Sequence, residues 1–136
     1  MKMLTASGAI LALLLAVACG GSSANNPPLS GSMTGTWTFT ANSQSFGSIV
    51  SGTANVQQTG DTISGQATLV GSPCATTASI SGTVSGKSVQ MQLNENGDTV
   101  TFTGKLDSTF TYASGSYSAS LGCTNADQGT WTANKQ

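Results

Sequence analysis

Residues 77–106, TASISGTVSGKSVQMQLNENGDTVTFTGKL, decide the fold of this chain. Apolar residues recur at every second position and alternate with hydroxyl or amide side chains, which is the period of a strand with one buried and one solvated face. The turns Ser85-Gly86-Lys87 and Asn96-Gly97-Asp98 interrupt this alternation. Because such short turns join adjacent antiparallel strands, the stretch predicts three strands linked by two hairpins.

The same alternation extends outward from this stretch, back to Thr34 and forward almost to residue 136. Two further hairpin-type turns, Thr59-Gly60-Asp61 and Leu106-Asp107-Ser108, separate additional strands. The pattern therefore predicts an all-β domain: a single antiparallel up-and-down meander of about eight strands, forming a barrel or a strongly coiled sheet. A repeat solenoid is disfavoured by the unequal segment lengths. A transmembrane barrel is disfavoured by an aromatic content of only 6%.

Glycine recurs on the predicted inner face of the strands, where it costs about 0.5–1 kcal/mol relative to alanine. Such a residue therefore needs a compensating use. We expect the glycines to allow strong sheet curvature and to leave room for a ring from a neighbouring strand, either Trp37 or Trp131.

Charged residues make up 7% of the chain, which has four lysines, no arginine and no histidine. This composition cannot supply a phosphate-neutralising surface, so we expect no nucleic-acid partner. Without histidine, the commonest general base and metal ligand is missing. The acidic residues all lie in or beside predicted turns, which suffices to explain them, and we expect no catalytic residues, metal or cofactor. They are Asp61, Glu95, Asp98, Asp107 and Asp127.

The first eighteen residues have the order of a secretory signal: Lys2, then an apolar run from Ala9 to Val17, then small residues. The run is too short to span a bilayer. Ala16-Val17-Ala18-Cys19 resembles the lipobox of bacterial lipoproteins, although Ala16 stands where that family usually has leucine. The resemblance implies that Cys19 is lipidated and becomes the new N-terminus. The alternative is an ordinary signal-peptidase site that releases a soluble product.

Residues 20–33, GGSSANNPPLSGSM, show no apolar period and contain two prolines, which is typical of a flexible linker. We therefore divide the chain into a signal peptide (1–18), a lipidated Cys19 with its tether (19–33) and a β-barrel-like domain (34–136).

Apart from Cys19, the chain contains two cysteines, Cys74 and Cys123, and an even pair in an exported domain predicts a disulfide. Both cysteines fall in odd-numbered inter-strand loops, which emerge at one end of a meander. Such a bridge would stabilise the fold by about 4 kcal/mol in the chain-entropy model.

Gly35-Thr36-Trp37 resembles the Gly-x-Trp opening of the calycin barrels, such as lipocalins and avidins. The resemblance covers three residues, and no arginine is available to pack over the tryptophan as it commonly does in lipocalins. It implies a barrel whose mouth accepts a ligand, with Trp37 and Trp131 as candidate ligand-binding residues. The alternative is that these rings simply fill the interior, because small eight-stranded barrels have little spare volume.

These observations predict a non-enzymatic, monomeric lipoprotein of the cell envelope, held on the outer membrane by its acyl chains or otherwise released to the periplasm. Its barrel would be a binding or structural module for a small apolar ligand or an envelope component. The first alternative is a surface adhesion or assembly protein that acts through the polar face of the sheet. The second alternative is a hydrolase whose site is not recognisable in the sequence.

The lipobox predicts that labelled palmitate enters the wild-type protein and does not enter a Cys19→Ser variant, because the thiol carries the diacylglyceryl group. Metabolic labelling followed by immunoprecipitation would measure this. Labelling that survives the substitution would contradict the assignment.

Overall fold

The computed structural model describes residues 31–120 and 122–136. Within them, eight antiparallel strands form a closed barrel in sequence order, with the first strand paired to the last. The strands are β1 (Gly35–Ser43), β2 (Ile49–Thr59), β3 (Thr62–Val70), β4 (Thr77–Ser85), β5 (Ser88–Glu95), β6 (Asp98–Leu106), β7 (Tyr112–Ala119) and β8 (Gln128–Lys135). The predicted all-β meander and its closure are confirmed.

The predicted signal peptide, Cys19 and the tether up to residue 30 lie outside the described residues. None of the described residues forms a helix long and apolar enough to cross a membrane.

Alternation places the predicted apolar face inside the barrel and the hydroxyl and amide side chains outside. In β4, for example, Ile80 and Val84 are buried, whereas Ser79, Ser81 and Thr83 are exposed. Large side chains are few in the interior, and the rings of Phe102 and Trp131 meet edge to face with centroids 5.8 Å apart. The core therefore combines a few rings with many small aliphatic side chains.

The inward glycines lie where backbone or an aromatic ring approaches closely, as expected. Gly104 of β6 pairs directly with Gly115 of β7. A Cβ atom on Gly104 would lie 2.7 Å from Cζ2 of Trp131, and one on Gly115 would lie 1.9 Å from the carbonyl oxygen of Thr103. The Trp131 ring thus occupies the room that this glycine pair leaves. The other rings found against inward glycines are Phe39 and Tyr117, rather than Trp37.

One end of the barrel, which we call the plugged end, carries the turns β2–β3, β4–β5 and β6–β7 and is filled by Met33 and Phe110. Met33 is 2% exposed, and its carbonyl oxygen accepts a 2.8 Å hydrogen bond from Nε1 of Trp37. Its amide N–H donates to Oε1 of Gln58 at 2.8 Å. The sequence assigns Met33 to the tether, but these contacts make it part of the core.

The β6–β7 loop supplies the second part of the plug. Hydrogen bonds from the Thr109 hydroxyl and then from the backbone N–H groups of Tyr112 and Thr111 hold the pKa of Asp107 well below its ordinary value of 3.8. Phe110, at the centre of this loop, has a φ of 58° and is 5% exposed. The hydrogen bonds to the Asp107 carboxylate therefore hold the loop in a conformation in which the Phe110 ring points into the barrel.

At the opposite end, which we call the mouth, Cys74 and Cys123 form the predicted disulfide, with Cα atoms 5.4 Å apart. Cys74 lies in the β3–β4 loop and Cys123 in the β7–β8 loop. These loops are four strands apart in an eight-stranded barrel, so they start from opposite sides of the mouth. The disulfide therefore ties two loops together across the opening.

We predict that Gly115→Ala destabilises the domain by about 3 kcal/mol, because the new methyl group would overlap the β6 backbone and overpack the site. A fall in Tm of roughly 10–20 °C would follow for a domain of this size. Thermal unfolding followed by circular dichroism would measure it. Ser116→Ala, at the exposed neighbouring position, is the control and should change Tm little. An unchanged Tm for Gly115→Ala would contradict the close approach of the two strands.

Candidate functional site

A cavity of about 290 Å³ opens at the mouth, and we call it the mouth cavity. Its deeper wall is apolar and comes from inward residues near the strand ends, whereas its rim comes from the loops. The apolar wall consists of Phe39, Ala41, Val50, Leu69, Leu93, Val100, Phe102 and Ala119. This volume lies near the lower end of the range for small-molecule sites, so the cavity suits a small ligand.

A second void of about 40 Å³ lies deeper in the barrel and has an entirely apolar wall. Phe39, Leu93 and Phe102 border both spaces. Trp37 and Trp131, the ligand-binding candidates from the sequence, line this inner void and not the mouth cavity. Both are 2% exposed, so they act mainly as interior filling.

Among the described residues, Glu95 is the one charged residue that is buried, with 5% of its surface exposed. It ends β5 and borders the mouth cavity. The hydroxyl of Ser72, from the β3–β4 loop, donates a hydrogen bond to its Oε2 atom. The carboxylate is therefore held by a neutral donor at the edge of an apolar space, where a charge is costly unless it is paired or solvated.

Asp127 brings a second carboxylate to the cavity, at the end of the β7–β8 loop. Its Oδ1 atom accepts a 2.7 Å hydrogen bond from the Ser43 hydroxyl. Its Oδ2 atom accepts a 2.7 Å hydrogen bond from the Tyr117 hydroxyl. These bonds fix the carboxylate orientation by linking the β7–β8 loop to β1 and β7. Burial, and then the hydrogen bond to Asp127, raise the pKa of Tyr117 well above its ordinary value of 10.0.

The rim of the cavity combines an exposed ring with a structured loop. Phe46, in the β1–β2 loop, borders the opening although it is 60% exposed. In the neighbouring β7–β8 loop, Asn125 and Ala126 have φ values of 50° and 56°, which non-glycine residues seldom adopt consecutively. Thr124 stabilises this turn by donating from its hydroxyl to the Ser120 carbonyl at 2.7 Å.

Charge is distributed unequally between the two ends. Glu95, Asp98 and Asp127 lie at the mouth, where the described residues include no lysine. The described lysines lie toward the plugged end: Lys87 in the β4–β5 turn, Lys105 near the end of β6 and Lys135 at the end of β8. The mouth is therefore the negative end of the barrel.

Asp98 lies close to the disulfide but outside the mouth cavity. Its Oδ2 atom accepts a 3.2 Å hydrogen bond from the Cys123 amide N–H. One carboxylate oxygen and the two sulfur atoms lie within 4.8 Å of one another. Because both sulfurs are bonded in the disulfide, this group serves to position the loop and is not a metal centre.

Sequence reasoning explained Glu95 and Asp127 as turn residues and did not group them, but the structure places both at one cavity. The signal was present in the alternation. Val89, Met91 and Leu93 of β5 face inward, so the same parity turns Glu95 inward. Asp127 stands two residues before the buried Gly129. Because Glu95 and Asp127 both adjoin turns, their inward orientation was not predicted.

No protein-family model matches this chain, and no curated protein matches it either. The interpretation of the mouth cavity therefore depends on its own geometry and chemistry.

We predict that the free energy of unfolding falls as the pH rises above about 10, because the unfolded chain then ionises Tyr117 while the folded protein keeps it protonated. The stabilisation from the protonated Tyr117 hydroxyl is fully present below the pKa of this tyrosine in the unfolded chain. It is lost as the pH rises toward the higher pKa of Tyr117 in the folded protein. Urea titrations at several alkaline pH values would measure it. Tyr117→Phe should make the fall shallower, whereas Tyr112→Phe, at an exposed tyrosine, should leave it as in the wild type. Equal slopes for wild type and Tyr117→Phe would contradict the buried phenol.

Proposed function

We propose that this protein is an exported, membrane-anchored lipoprotein whose barrel binds a small ligand in the mouth cavity. The observation that carries the proposal is the cavity of about 290 Å³, in which an apolar wall borders two fixed carboxylates. Apolar walls with a few convergent polar groups are the usual composition of small-molecule sites. The wall would bury the apolar part of a ligand, and the carboxylates would orient its polar part.

The position of residues 31–33 supports this assignment of roles. Residues 31–33 reach the barrel at its plugged end, where the Ser32 carbonyl accepts a 2.9 Å hydrogen bond from Nζ of Lys135. The same Nζ atom lies 6.0 Å from the centroid of the Trp37 ring. A chain anchored through Cys19 would therefore approach the barrel from the end opposite the mouth. The cavity would stay open to the surrounding medium while the acyl chains are in the membrane.

Binding is a better explanation of the site than catalysis. Glu95 accepts from Ser72, and Asp127 accepts from Ser43 and Tyr117, so both carboxylates already serve as hydrogen-bond acceptors for neighbouring hydroxyls. Histidine is the base that most often activates a hydroxyl nucleophile, and the chain has none. The proposed molecule is a non-enzymatic binding module.

Native mass spectrometry of the protein purified from its own host should show a retained small molecule. Ala119→Trp should abolish retention, because Ala119 borders the cavity and a large ring there would fill it. Ser118→Trp is the matched control, since Ser118 is the preceding residue and faces outward. Circular dichroism would verify that both variants are folded. A wild-type protein that is consistently empty would contradict the proposal and favour an adhesion or assembly role for the polar outer face.

A further inference from the structure

We infer that the mouth cavity selects a small organic cation: an ammonium or amidinium group attached to an apolar body. This inference depends on the proposed binding function and specifies the chemistry of the ligand. It follows from the charge of the cavity, the aromatic rings beside the carboxylates and the asymmetry of the two barrel ends.

The carboxylates of the mouth lack a cationic partner from the described part of the chain. Glu95 is 5% exposed, yet its hydrogen-bond partner is the neutral hydroxyl of Ser72. Asp127 is likewise held by neutral hydroxyls, those of Ser43 and Tyr117. Asp127 is half-buried, whereas a buried charge such as that of Glu95 is normally paired. A cation entering the cavity would supply the pairing that the protein does not.

Aromatic rings stand in the same wall. Phe102 and Tyr117 are stacked with centroids 5.5 Å apart, and Phe39 also lines the cavity. The face of an aromatic ring attracts ammonium and guanidinium groups, most strongly when these are desolvated. Rings together with carboxylates form an environment that favours a cation with an apolar surface over a strongly hydrated metal ion.

An anionic ligand is disfavoured by the same arrangement. It would have to approach Glu95, Asp98 and Asp127 together, at an end where the described residues offer no lysine. A purely apolar ligand would fill the wall but would leave the carboxylates to lose solvent without gaining a partner, which costs free energy. Charge thus provides selectivity between ligands of similar shape.

Three probes that share one ring and differ in charge would test this inference: benzylammonium, benzyl alcohol and benzoate. NMR titration of the isotopically labelled barrel near pH 7 would report both the affinity and the residues that shift. We expect benzylammonium to bind at least about ten-fold more tightly than benzyl alcohol, with shifts at the mouth. Benzoate should give no saturable shifts there. Added salt should weaken the binding of benzylammonium, because part of its affinity is electrostatic.

Glu95→Gln should reduce the affinity for benzylammonium about ten-fold while leaving that for benzyl alcohol unchanged, because the amide oxygen can still accept from Ser72. Asp98→Asn is the matched control: it removes one charge from the same end but outside the cavity wall, so it should weaken benzylammonium binding much less than Glu95→Gln does. Equal binding of the alcohol and the ammonium, or no effect of Glu95→Gln, would overturn the inference while leaving the proposed binding function standing. If none of the probes bound and the host-purified protein were also empty, both proposals would fail.

Discussion

The structure depends on a limit of interior space: eight strands can close into a barrel only if the side chains inside occupy a small volume. The chain meets this limit by placing an aromatic ring against glycine on a neighbouring strand. Trp131 packs over the Gly104–Gly115 pair, Phe39 against Gly52 and Tyr117 against Gly129. A side chain at these glycines would displace either a ring or the backbone of the next strand, and the closed sheet would be destabilised.

The same limit divides the interior into parts with different roles. Toward the plugged end, Met33, Trp37 and Phe110 fill the barrel, and only a void of about 40 Å³ remains. Toward the mouth, the walls are lined partly by small residues such as Ala41 and Ala119, and the space widens to about 290 Å³. The packed core and the open cavity are thus separated along the barrel axis. A stable core at one end allows polar groups and space at the other.

Much of the fold could be predicted from the sequence, because alternation with period two determines which residues face inward regardless of how the strands pair. The disulfide was predicted from the two cysteines that remain after Cys19, and loop parity supported the pairing by placing Cys74 and Cys123 at one end. The candidate site was harder to predict from the sequence than the fold. The resemblance of Gly35-Thr36-Trp37 to calycin barrels makes Trp37 and Trp131 ligand-binding candidates, but the inner void that they line is small. Glu95 and Asp127 were assigned to turns, and only the closed barrel shows that residues from β5 and from the β7–β8 loop border one space. Met33 was assigned to the tether because a single apolar residue carries no periodic signal.

The bond between Cys74 and Cys123 links the completion of the rim to the biogenesis of the protein. Disulfides form in oxidising compartments, so in a reducing cytosol the β3–β4 and β7–β8 loops would not be joined. Ser72, which donates a hydrogen bond to the Glu95 carboxylate, lies in the β3–β4 loop, and Asp127 lies in the β7–β8 loop. For the proposed exported protein, the two loops would be joined only after translocation, so the rim of the mouth would be completed in the compartment where the proposed ligand is met.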